Sequence, residues 1–405
     1  MNIIYHHRTQ GKGVEGVHIR EIVRAWQKMG HKVEMVEPPA VSVWNESSGN
    51  KKAGFPAKVY KIISRYVPEI VFEIFEATYN FNAGGRLRKI FRKDKYSFLY
   101  ERYALFNWSG AKEARRAGVP LVLEVNYTNH TPLYRRRSSI MRPFVNLAEK
   151  WIFKNADGFI VVSTYLKKHL IGLGVDKEKI IVLTNAADPE KFSPLTDGRE
   201  IRSRYELDGR VVTGFVGGFY PWHGLDLLID SFKSLAGDCA DAVLLLVGDG
   251  PMKPSLEKKV LESGLQDRVY FPGTISHEDL PKYISAFDIA IMPDSNEYGS
   301  PMKIFEYMAM GKPVVAPKFG PLEDGITHGK EGFLFEPQNA NDLVSCLRRL
   351  IDNADLRREL GKNGRTRIMD RHNWQNNAVS VLDLVDSSKG KGKEPVTAQR
   401  PVSAK

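Results

Sequence analysis

The chain has 405 residues, 42% of them hydrophobic and 26% charged, with a formal net charge of +11. These values are typical of a globular protein of two to three domains and exclude a collagen-like or largely disordered chain. Its two cysteines cannot build a disulfide framework, its first residues do not resemble a signal peptide, and no run approaches the roughly 18 apolar residues of a membrane span. We therefore expect a cytoplasmic protein.

The positive charge is concentrated in the first half. Residues 1–188 carry 31 lysines and arginines against 17 aspartates and glutamates, whereas the remainder carries 28 against 31. This asymmetry predicts an acidic partner for the first half: nucleic acid, a phosphorylated substrate or anionic lipid. A plain solvated basic surface is the alternative.

Strands and helices alternate along the first half. "NIIYH" predicts a strand, a glycine-bearing loop follows, and "VHIREIVRAWQKMG" has apolar residues at helical spacing. "HKVEMVE" predicts the next strand. We expect irregular structure over residues 38–58 and a helical region over 59–103, which is rich in aromatic residues, lysine and arginine. Further strands are predicted over 119–126, 158–163 and 179–187.

The same alternation restarts after "DPEKFSPLTDG", from the strand "VVTGFVGG" through "AVLLLVGDGP" and "DIAIMPD" to "PVVA". It predicts an α/β protein with two doubly wound Rossmann-like domains facing a central cleft. The predicted domains are residues 1–186 and 187–372, followed by a C-terminal helix over 373–388 that packs back towards the first domain. Residues 389–405 have almost no large apolar side chains, which predicts a disordered tail.

Ligands of doubly wound sheets bind at the carboxyl ends of the strands, where several loops are rich in glycine. "GKGVEG" fits the dinucleotide pattern G-x-G-x-x-G, and Glu34 and Glu37 lie near the distance at which such a site needs an acid. A plain strand-to-helix turn explains the same letters. The chain has no Asp-x-Asp pair and no Cys/His cluster with ligand spacing, so we expect no obligatory metal.

The stretch "YGSPMKIFEYMAMGKPVVA", residues 298–316, combines a turn with the start of a helix. Lys303 and Glu306 are three residues apart and share one helix face, so an ordinary ion pair is one interpretation. The other is a nucleoside diphosphate site. Backbone amides of residues 299–302 and the Lys303 ammonium would hold the diphosphate, and Glu306 would accept hydrogen bonds from the ribose.

The second half resembles the nucleotide-sugar domain of retaining glycosyltransferases of family 4, which have the GT-B fold. The segments "TGFVGGFYPWHGLDLLIDSF", "LLLVGDGPMKPSLE", "FPGTISHEDLPKYISAFDIAIMPD" and "SPMKIFEYMAMGKPVVA" carry this resemblance. In the first half, "GVHIREIVRAWQKMGHKVEMV" and "DGFIVVSTYLKKHLIGLGVDKEKIIVLTNAADPEKF" also match. The likeness covers nearly the whole chain except about residues 40–98 and the tail.

The resemblance implies a set of site residues. Catalytic roles fall on Lys303, Glu306, His223 and His130. Donor binding falls on Gly217, Gly218, His223, Gly248, Gly250, Thr274, Ile275, Tyr298, Gly299, Ser300, Pro301, Met302, Lys303 and Glu306. In the first domain the loop residues are Arg8, Gly11, Gly13, Gly16 and Asn126.

Three positions depart from the family pattern. Tyr298 stands where the family has the first of two glutamates, and Gly218 and His223 stand where it has an arginine and a lysine that hold the diphosphate. We interpret these changes as alternative chemistry, in which Lys303 and His223 replace the missing basic pair.

The implied reaction is transfer of a sugar from a nucleotide diphosphate donor, UDP or GDP, with retention at the anomeric carbon and with neither metal nor cofactor. The basic first half would bind a glycan or lipid-linked acceptor, with an anionic membrane surface at the inner face as a further partner. The alternatives are a nucleotide-sugar epimerase of the same build and an NAD-dependent dehydrogenase using "GKGVEG". A nucleic-acid-binding module ranks last, because no segment resembles a nucleic-acid motif.

Overall fold

The computed structural model describes residues 1–11, 13–39, 41–44, 69–131 and 141–389. In these ranges the chain forms two sheets of six strands each, and all paired strands run parallel. Helices separate the strands along the chain, as parallel pairing requires. The predicted α/β class with two doubly wound sheets is confirmed.

The first sheet has the order β2-β1-β3-β4-β5-β6. Its strands are β1 (Asn2–His6), β2 (Lys32–Val36), β3 (Phe98–Arg102), β4 (Leu121–Val125), β5 (Gly158–Val161) and β6 (Ile180–Val182). The accompanying helices are α1 (Gly13–Lys28), α2 (Glu69–Lys93), α3 (Ser109–Ala117), α4 (Arg142–Lys154) and α5 (Thr164–Gly172).

The second sheet has the order β12-β11-β10-β7-β8-β9. Its strands are β7 (Val211–Val216), β8 (Ala242–Val247), β9 (Val269–Gly273), β10 (Ile289–Ile291), β11 (Val314–Pro317) and β12 (Gly332–Phe335). The helices of this half are α6 (Arg199–Arg204), α7 (Leu225–Ala236), α8 (Lys253–Glu262), α9 (Leu280–Ser285), α10 (Met302–Ala309), α11 (Gly320–Glu323), α12 (Ala340–Ile351), α13 (Ala354–Asp370) and α14 (Trp374–Lys389).

The two sheets each reverse strand order at one strand. β1 lies between β2 and β3, and β7 lies between β8 and β10. Where the strand order reverses, the connections from two neighbouring strands leave on opposite faces of the sheet. A crevice therefore opens beyond the carboxyl ends of these strands. The fold therefore directs attention to the loop after β1, which leads into α1, and to the loop after β7.

The prediction of helix over residues 59–103 was wrong at its end. Residues Phe98–Arg102 form β3, which pairs with β1 and β4 in the middle of the first sheet. The aromatic and basic letters around "SFLYERY" mask a short run of buried residues that belongs to a central strand. Residues 59–68 lie outside the described ranges.

The C-terminal helix α14 returns to the first half of the chain. Its residues Trp374, Ala378 and Val381 join a buried cluster with Trp26 of α1, and the Trp26 indole donates a hydrogen bond of 3.1 Å to the Ala378 carbonyl. The chain thus crosses twice between its halves. In the ranges that the structure describes, none of the helices is both long and apolar enough to cross a bilayer.

Candidate active site

A cleft of about 430 Å³ opens where the start of α1 meets the loop after β7. The first half contributes the start of α1 to its wall, and the second half contributes the loops after β7, β9 and β10 and the start of α10. The lining residues are Gly13, Val14, Val17, Val216, Gly217, Gly218, Trp222, His223, His277, Leu280, Met292, Ser295, Asn296, Gly299, Ser300, Pro301, Met302, Lys303 and Glu306. The volume is in the range of small-molecule sites.

The turn before α10 is fixed from both halves of the chain. The Asn296 side chain accepts hydrogen bonds from the backbone amides of Tyr298 and Gly299. From the first half, the Ser163 hydroxyl donates to the Tyr298 carbonyl at 2.7 Å, and Asn185 bonds both the hydroxyl and the carbonyl of Ser300. The turn is therefore rigid before any ligand arrives, and it presents the amino end of α10 to the cleft.

Lys303 lies in the first turn of α10 and is the central feature of the cleft. Its Nζ is buried and has no hydrogen-bond partner among the described residues. It lies 4.2 Å from the centroid of the Phe215 ring, which gives a cation–π contact but no counter-ion. Burial lowers the pKa of Lys303 to about 7, and the nearby Glu306 carboxylate partly opposes that shift. The predicted alternative of a Lys303–Glu306 salt bridge is not formed.

Gly217 gives Lys303 its space. Its φ is +148°, and a Cβ at this position would lie 2.6 Å from Lys303 Nζ. A side chain at residue 217 would therefore compete with the lysine for the floor of the cleft. Gly248 and Gly250 lie directly behind this turn, where their backbones pack on Gly217 and Phe219. They support the cleft without lining it.

His223 follows on the same side of the cleft, in a short 3₁₀ turn. Its Nδ1 bonds the Gly218 carbonyl, and because a carbonyl only accepts, Nδ1 carries the hydrogen. Burial and the adjacent Lys303 lower the pKa of His223 to about 4. The ring is therefore neutral near pH 7 while the cleft is empty.

Glu306 is buried and reaches the cleft one turn after Lys303. His277, from the loop after β9, places its Nε2 2.9 Å from Glu306 Oε1, and Lys191 Nζ lies 2.7 Å from His277 Nδ1. An ammonium only donates, so Nδ1 accepts and Nε2 carries the hydrogen that Glu306 receives. One carboxylate oxygen is thus held in place, and the other has no protein partner among the described hydrogen bonds.

Nine of the fourteen predicted donor-binding residues line the cleft, and five do not. Tyr298 is half-buried against the core of the first half, and burial raises its pKa. Thr274 is exposed, and Ile275 packs partly on the core of the second half. Gly248 and Gly250 lie behind the Gly217 turn as described above.

The predicted site residues of the first half do not gather in the cleft as those of the second half do. Gly13 lines the cleft, whereas Gly11 and Gly16 pack against one another behind it. Arg8 pairs with Glu76 at 2.9 Å. His130 lines a separate cavity with Glu149 and Lys150, so the structure does not bring it to Lys303.

Asn126 belongs to a buried polar cluster around Glu124 at the end of β4. The Glu124 carboxylate accepts hydrogen bonds from Arg102, from Asn126 at 2.6 Å and from Tyr100 at 3.1 Å, and His18 lies 3.3 Å away. Arg102 and His18 hold the pKa of Glu124 well below its usual range against the effect of burial. This cluster is internally satisfied.

Sequence reasoning missed about half of the residues that line the cleft, and three residues that hold its groups in place show why. His277 and Asn296 sit inside predicted loops but received no role, because their partners Glu306 and Gly299 are identified only by the folded geometry. Asn185, which holds Ser300, comes from the other half of the chain. In the described ranges no group of three or more His, Cys, Asp or Glu side chains is arranged to hold a metal ion.

Comparison with known families identifies the class of protein. Residues 197–367 match the family model described as glycosyl transferases group 1, and residues 13–191 match the model described as glycosyltransferase family 4. The two matches together span most of the chain. Each half of the chain thus matches a glycosyltransferase family model, and the two matches together with the fold support the class of family 4 glycosyltransferases with the GT-B fold.

Individual relatives are distant. The chain is 27% identical over 258 residues to the alpha-D-kanosaminyltransferase of Streptomyces kanamyceticus, which covers 62% of this chain and 66% of that protein. It thus spans just under two thirds of that relative. It is 24% identical over 282 residues to the GDP-mannose-dependent alpha-(1-6)-phosphatidylinositol monomannoside mannosyltransferase of Mycobacterium tuberculosis, with 68% of this chain and 72% of that protein covered.

A solved structure shares the fold. The crystal structure of Anabaena Alr3699/HepE in complex with UDP superimposes with a TM-score of 0.70 at 18% identity, and covers 96% of this chain and 100% of that one.

Proposed function

We propose that the protein is a metal-independent, retaining glycosyltransferase that moves a sugar from a UDP- or GDP-sugar to a glycan or lipid-linked acceptor. The observation that carries this proposal is Lys303, a buried amine in the cleft with no hydrogen-bond partner among the described residues. Burying a cation is costly unless an anion joins it, so the cleft favours an anionic ligand.

The donor would occupy the floor of the cleft. Its diphosphate would lie between Lys303 and the backbone amides at the start of α10, next to the neutral His223 ring, and its ribose would donate to the open oxygen of Glu306. Support comes from the relative whose name includes GDP-mannose and from the structural neighbour that holds UDP. The residues 187–372 would then act as the donor domain and residues 1–186 as the acceptor domain.

The chemistry follows from that position. The bond between the anomeric carbon and the diphosphate oxygen breaks, and both electrons leave with the diphosphate. Lys303 and the amide groups stabilise the growing negative charge, which is the role of the metal ion in metal-dependent transferases. An acceptor hydroxyl then bonds to the anomeric carbon on the face that the diphosphate left and passes its proton to the departing diphosphate oxygen. Attack on that face retains the configuration.

A membrane surface is a second partner that the first half favours. Phe81 of α2 is 82% exposed and Leu147 of α4 is 67% exposed, and α4 also exposes Phe144, Lys150 and Lys154. Large apolar side chains beside basic ones are typical of proteins that rest on anionic bilayers. We propose that this face brings the enzyme to the inner membrane surface, where a lipid-linked acceptor would lie. The basic segments 51–68 and 134–140 fall outside the described residues.

A thermal-shift panel tests the proposed donor. We expect UDP- or GDP-sugars to raise the melting temperature of the wild-type enzyme, because a ligand that binds only the folded form stabilises it. Glu306→Ala should lose that shift while it keeps a cooperative melting transition without ligand, since a truncated charged hydrogen bond costs roughly 1.5–3 kcal/mol of binding. An equal shift in Glu306→Ala would contradict the ribose assignment. Conversion of the donor to an epimer without acceptor would favour the epimerase alternative.

Flotation with liposomes tests the membrane partner. Wild-type protein should float with vesicles of phosphatidylglycerol and phosphatidylcholine, and salt should release it. Phe81→Glu and Leu147→Glu together should abolish flotation, whereas Leu195→Glu, at an exposed leucine of the second half, should not. Equal binding to purely phosphatidylcholine vesicles would count against the proposal.

A further inference from the structure

Two aromatic rings form a flat stack at the mouth of the cleft. The rings of Tyr220 and Trp222 are parallel to within 3°, with centroids 4.6 Å apart. Trp222 lines the cleft and is 54% exposed, and Tyr220 is 38% exposed. A large exposed aromatic at a binding cleft is costly to hydrate and is a common contact residue.

The stack is held in place by its own turn. Pro221 begins the 3₁₀ turn, the His223 amide donates to the Tyr220 carbonyl at 3.0 Å, and the His223 ring bonds the Gly218 carbonyl. The Tyr220 ring lies over Gly218 so closely that a Cβ there would overlap it. The arginine that the family resemblance implies at residue 218 would therefore require the Tyr220 ring to move. An aromatic surface occupies the space beside the diphosphate seat instead.

The Tyr220–Trp222 stack and the proposed donor site lie at different depths in the cleft. Lys303 Nζ and the Glu306 carboxylate are buried at the floor, whereas Trp222 and, from the first half, Val14 are exposed at the mouth. A donor with its diphosphate on Lys303 and its ribose on Glu306 fills the floor. The second substrate must reach the anomeric carbon from the mouth and so passes the stack.

We propose that the Tyr220–Trp222 stack is the platform for the acceptor, and that the acceptor presents a six-membered polyol ring, a pyranose or a cyclitol, to it. This inference rests on the proposed function. One face of such a ring carries mainly C–H groups, which pack on a flat aromatic surface, while its hydroxyls point outward to water and to the reacting carbon. Because the two rings stack face to face, Tyr220 backs one face of Trp222 and leaves the other as a flat surface, which fits a flat ring better than a flexible acyl chain. Val14 and Val17 of the first half line the same cleft, so the acceptor would lie between the stack and the acceptor domain and would contact both domains.

Saturation-transfer NMR on the UDP-saturated protein tests the platform. The probes are methyl α-D-glucopyranoside, methyl α-D-mannopyranoside and myo-inositol. We expect at least one probe to bind the wild type with saturation concentrated on the protons of one ring face. Trp222→Ala should weaken that binding about tenfold, and Trp222→Phe, which keeps a flat ring, should retain most of it. Trp151→Ala removes a comparably exposed tryptophan from α4, outside the cleft, and should have no effect.

UDP affinity, measured by calorimetry on the same variants, separates this inference from the proposed function. We expect UDP affinity to change less than about twofold in Trp222→Ala, because Trp222 is not a donor contact in the proposed pose. Equal loss of UDP and probe binding in Trp222→Ala would overturn the platform and indicate that Trp222 stacks on the nucleotide base. Unchanged probe binding in Trp222→Ala, or no probe binding to a wild type that binds UDP, would overturn it as well. A wild type that binds neither UDP nor GDP would overturn the proposed function itself. Where only GDP binds, GDP replaces UDP in both experiments.

Discussion

Glu124 in the first half and Lys303 in the second are both buried charged groups, yet they differ in their hydrogen-bond partners. Glu124 receives hydrogen bonds from Arg102, Asn126 and Tyr100. Lys303 Nζ has only an aromatic ring beside it among the described residues. Burial alone raises the pKa of an acid and lowers that of an amine. For Glu124 the partners reverse that effect, whereas for Lys303 it stands.

This difference distinguishes a structural charge from a functional one. A buried charge with all its partners present stabilises the fold and has little left to offer a ligand. A buried cation that lacks an anion lowers stability until a ligand supplies one, which is typical of a site built for binding. The contrast between Glu124 and Lys303 can be tested directly, because methionine can replace both Lys303 and Arg102, the cationic partner of Glu124.

The largest effect is expected at Arg102. Arg102→Met leaves Glu124 buried without its main cationic partner, and breaking a buried ion pair typically costs about 3–5 kcal/mol of folding free energy. Urea unfolding of the wild type and the variant measures this loss. Arg204→Met is the control, because its pair with Glu200 is exposed and such pairs are worth about 0.2–1 kcal/mol. Equal losses in the two variants would show that the Glu124 cluster is not a structural ion pair.

Lys303→Met should have the opposite effect on stability and a large effect on turnover. The folded-state pKa of Lys303 is about 7 against 10.5 for a free lysine. The unfolded chain therefore binds the proton more tightly, and the penalty on folding grows as pH falls from 10.5 to 7 and is constant below 7. Methionine removes the penalty, so the variant should unfold at higher urea concentration at pH 7.

Turnover of Lys303→Met should nevertheless fall about a hundredfold, because the ammonium acts on charge that develops only as the glycosidic bond breaks. Donor affinity should fall less than turnover. Initial rates with the donor found by the thermal-shift panel measure this. Wild-type turnover in a stabilised Lys303→Met enzyme would place the phosphate contacts elsewhere, with Arg8 or Lys12 of the first half as the next candidates.

The sequence predicted the elements of this contrast unequally. Lys303 and Glu306 could be found because a Ser-Pro turn, a lysine and a glutamate follow one another within seven residues, and local spacing determines helix faces. The Glu124 cluster could not be found, since Arg102, Glu124 and His18 come from β3, β4 and α1 and meet only in the folded sheet. The same region held the misassigned strand Phe98–Arg102, so its core was least accessible to pattern reasoning.

Gly218 shows a second limit of prediction from the sequence. The sequence indicates only that a glycine replaces an arginine there. The structure supplies the reason, because the Tyr220 ring fills the space, and that contact depends on the conformation of a turn. Domain boundaries at residues 186 and 372 and the role of His130 stay predictions.

UDP affinity should depend on pH through Lys303. A bound diphosphate raises the pKa of Lys303 above its value of about 7 in the empty cleft, so binding takes up a proton between those two values. Affinity should therefore fall by up to about tenfold per pH unit as pH rises from 7 towards 9. His223 stays neutral over this window, since its pKa is about 4 in the empty cleft.

Calorimetry in two buffers of different ionisation enthalpy counts the protons taken up. The wild type should take up a substantial fraction of one proton near pH 8, and Lys303→Met should take up none. A pH dependence that persists in Lys303→Met would assign the proton to another group.

The smallest effect is expected at His277, which we regard as a positioning residue for Glu306. Lys191 donates to Nδ1 at 2.7 Å, so the ring is fixed with its hydrogen on Nε2, 2.9 Å from Glu306 Oε1. His277→Leu removes this donor, and the loss of one such hydrogen bond should weaken UDP binding by roughly 0.5–1.5 kcal/mol. His277→Gln offers an amide N–H near the position of Nε2 and should restore most of the affinity. Because the ribose contact is the same in the ground state and the transition state, KM for the donor should rise while kcat changes little. In a Glu306→Ala background the leucine substitution should cost nothing further, since the group it positions is gone. An additional loss in that background, or equal defects in the glutamine and leucine variants, would mean that His277 acts only through packing against Phe192.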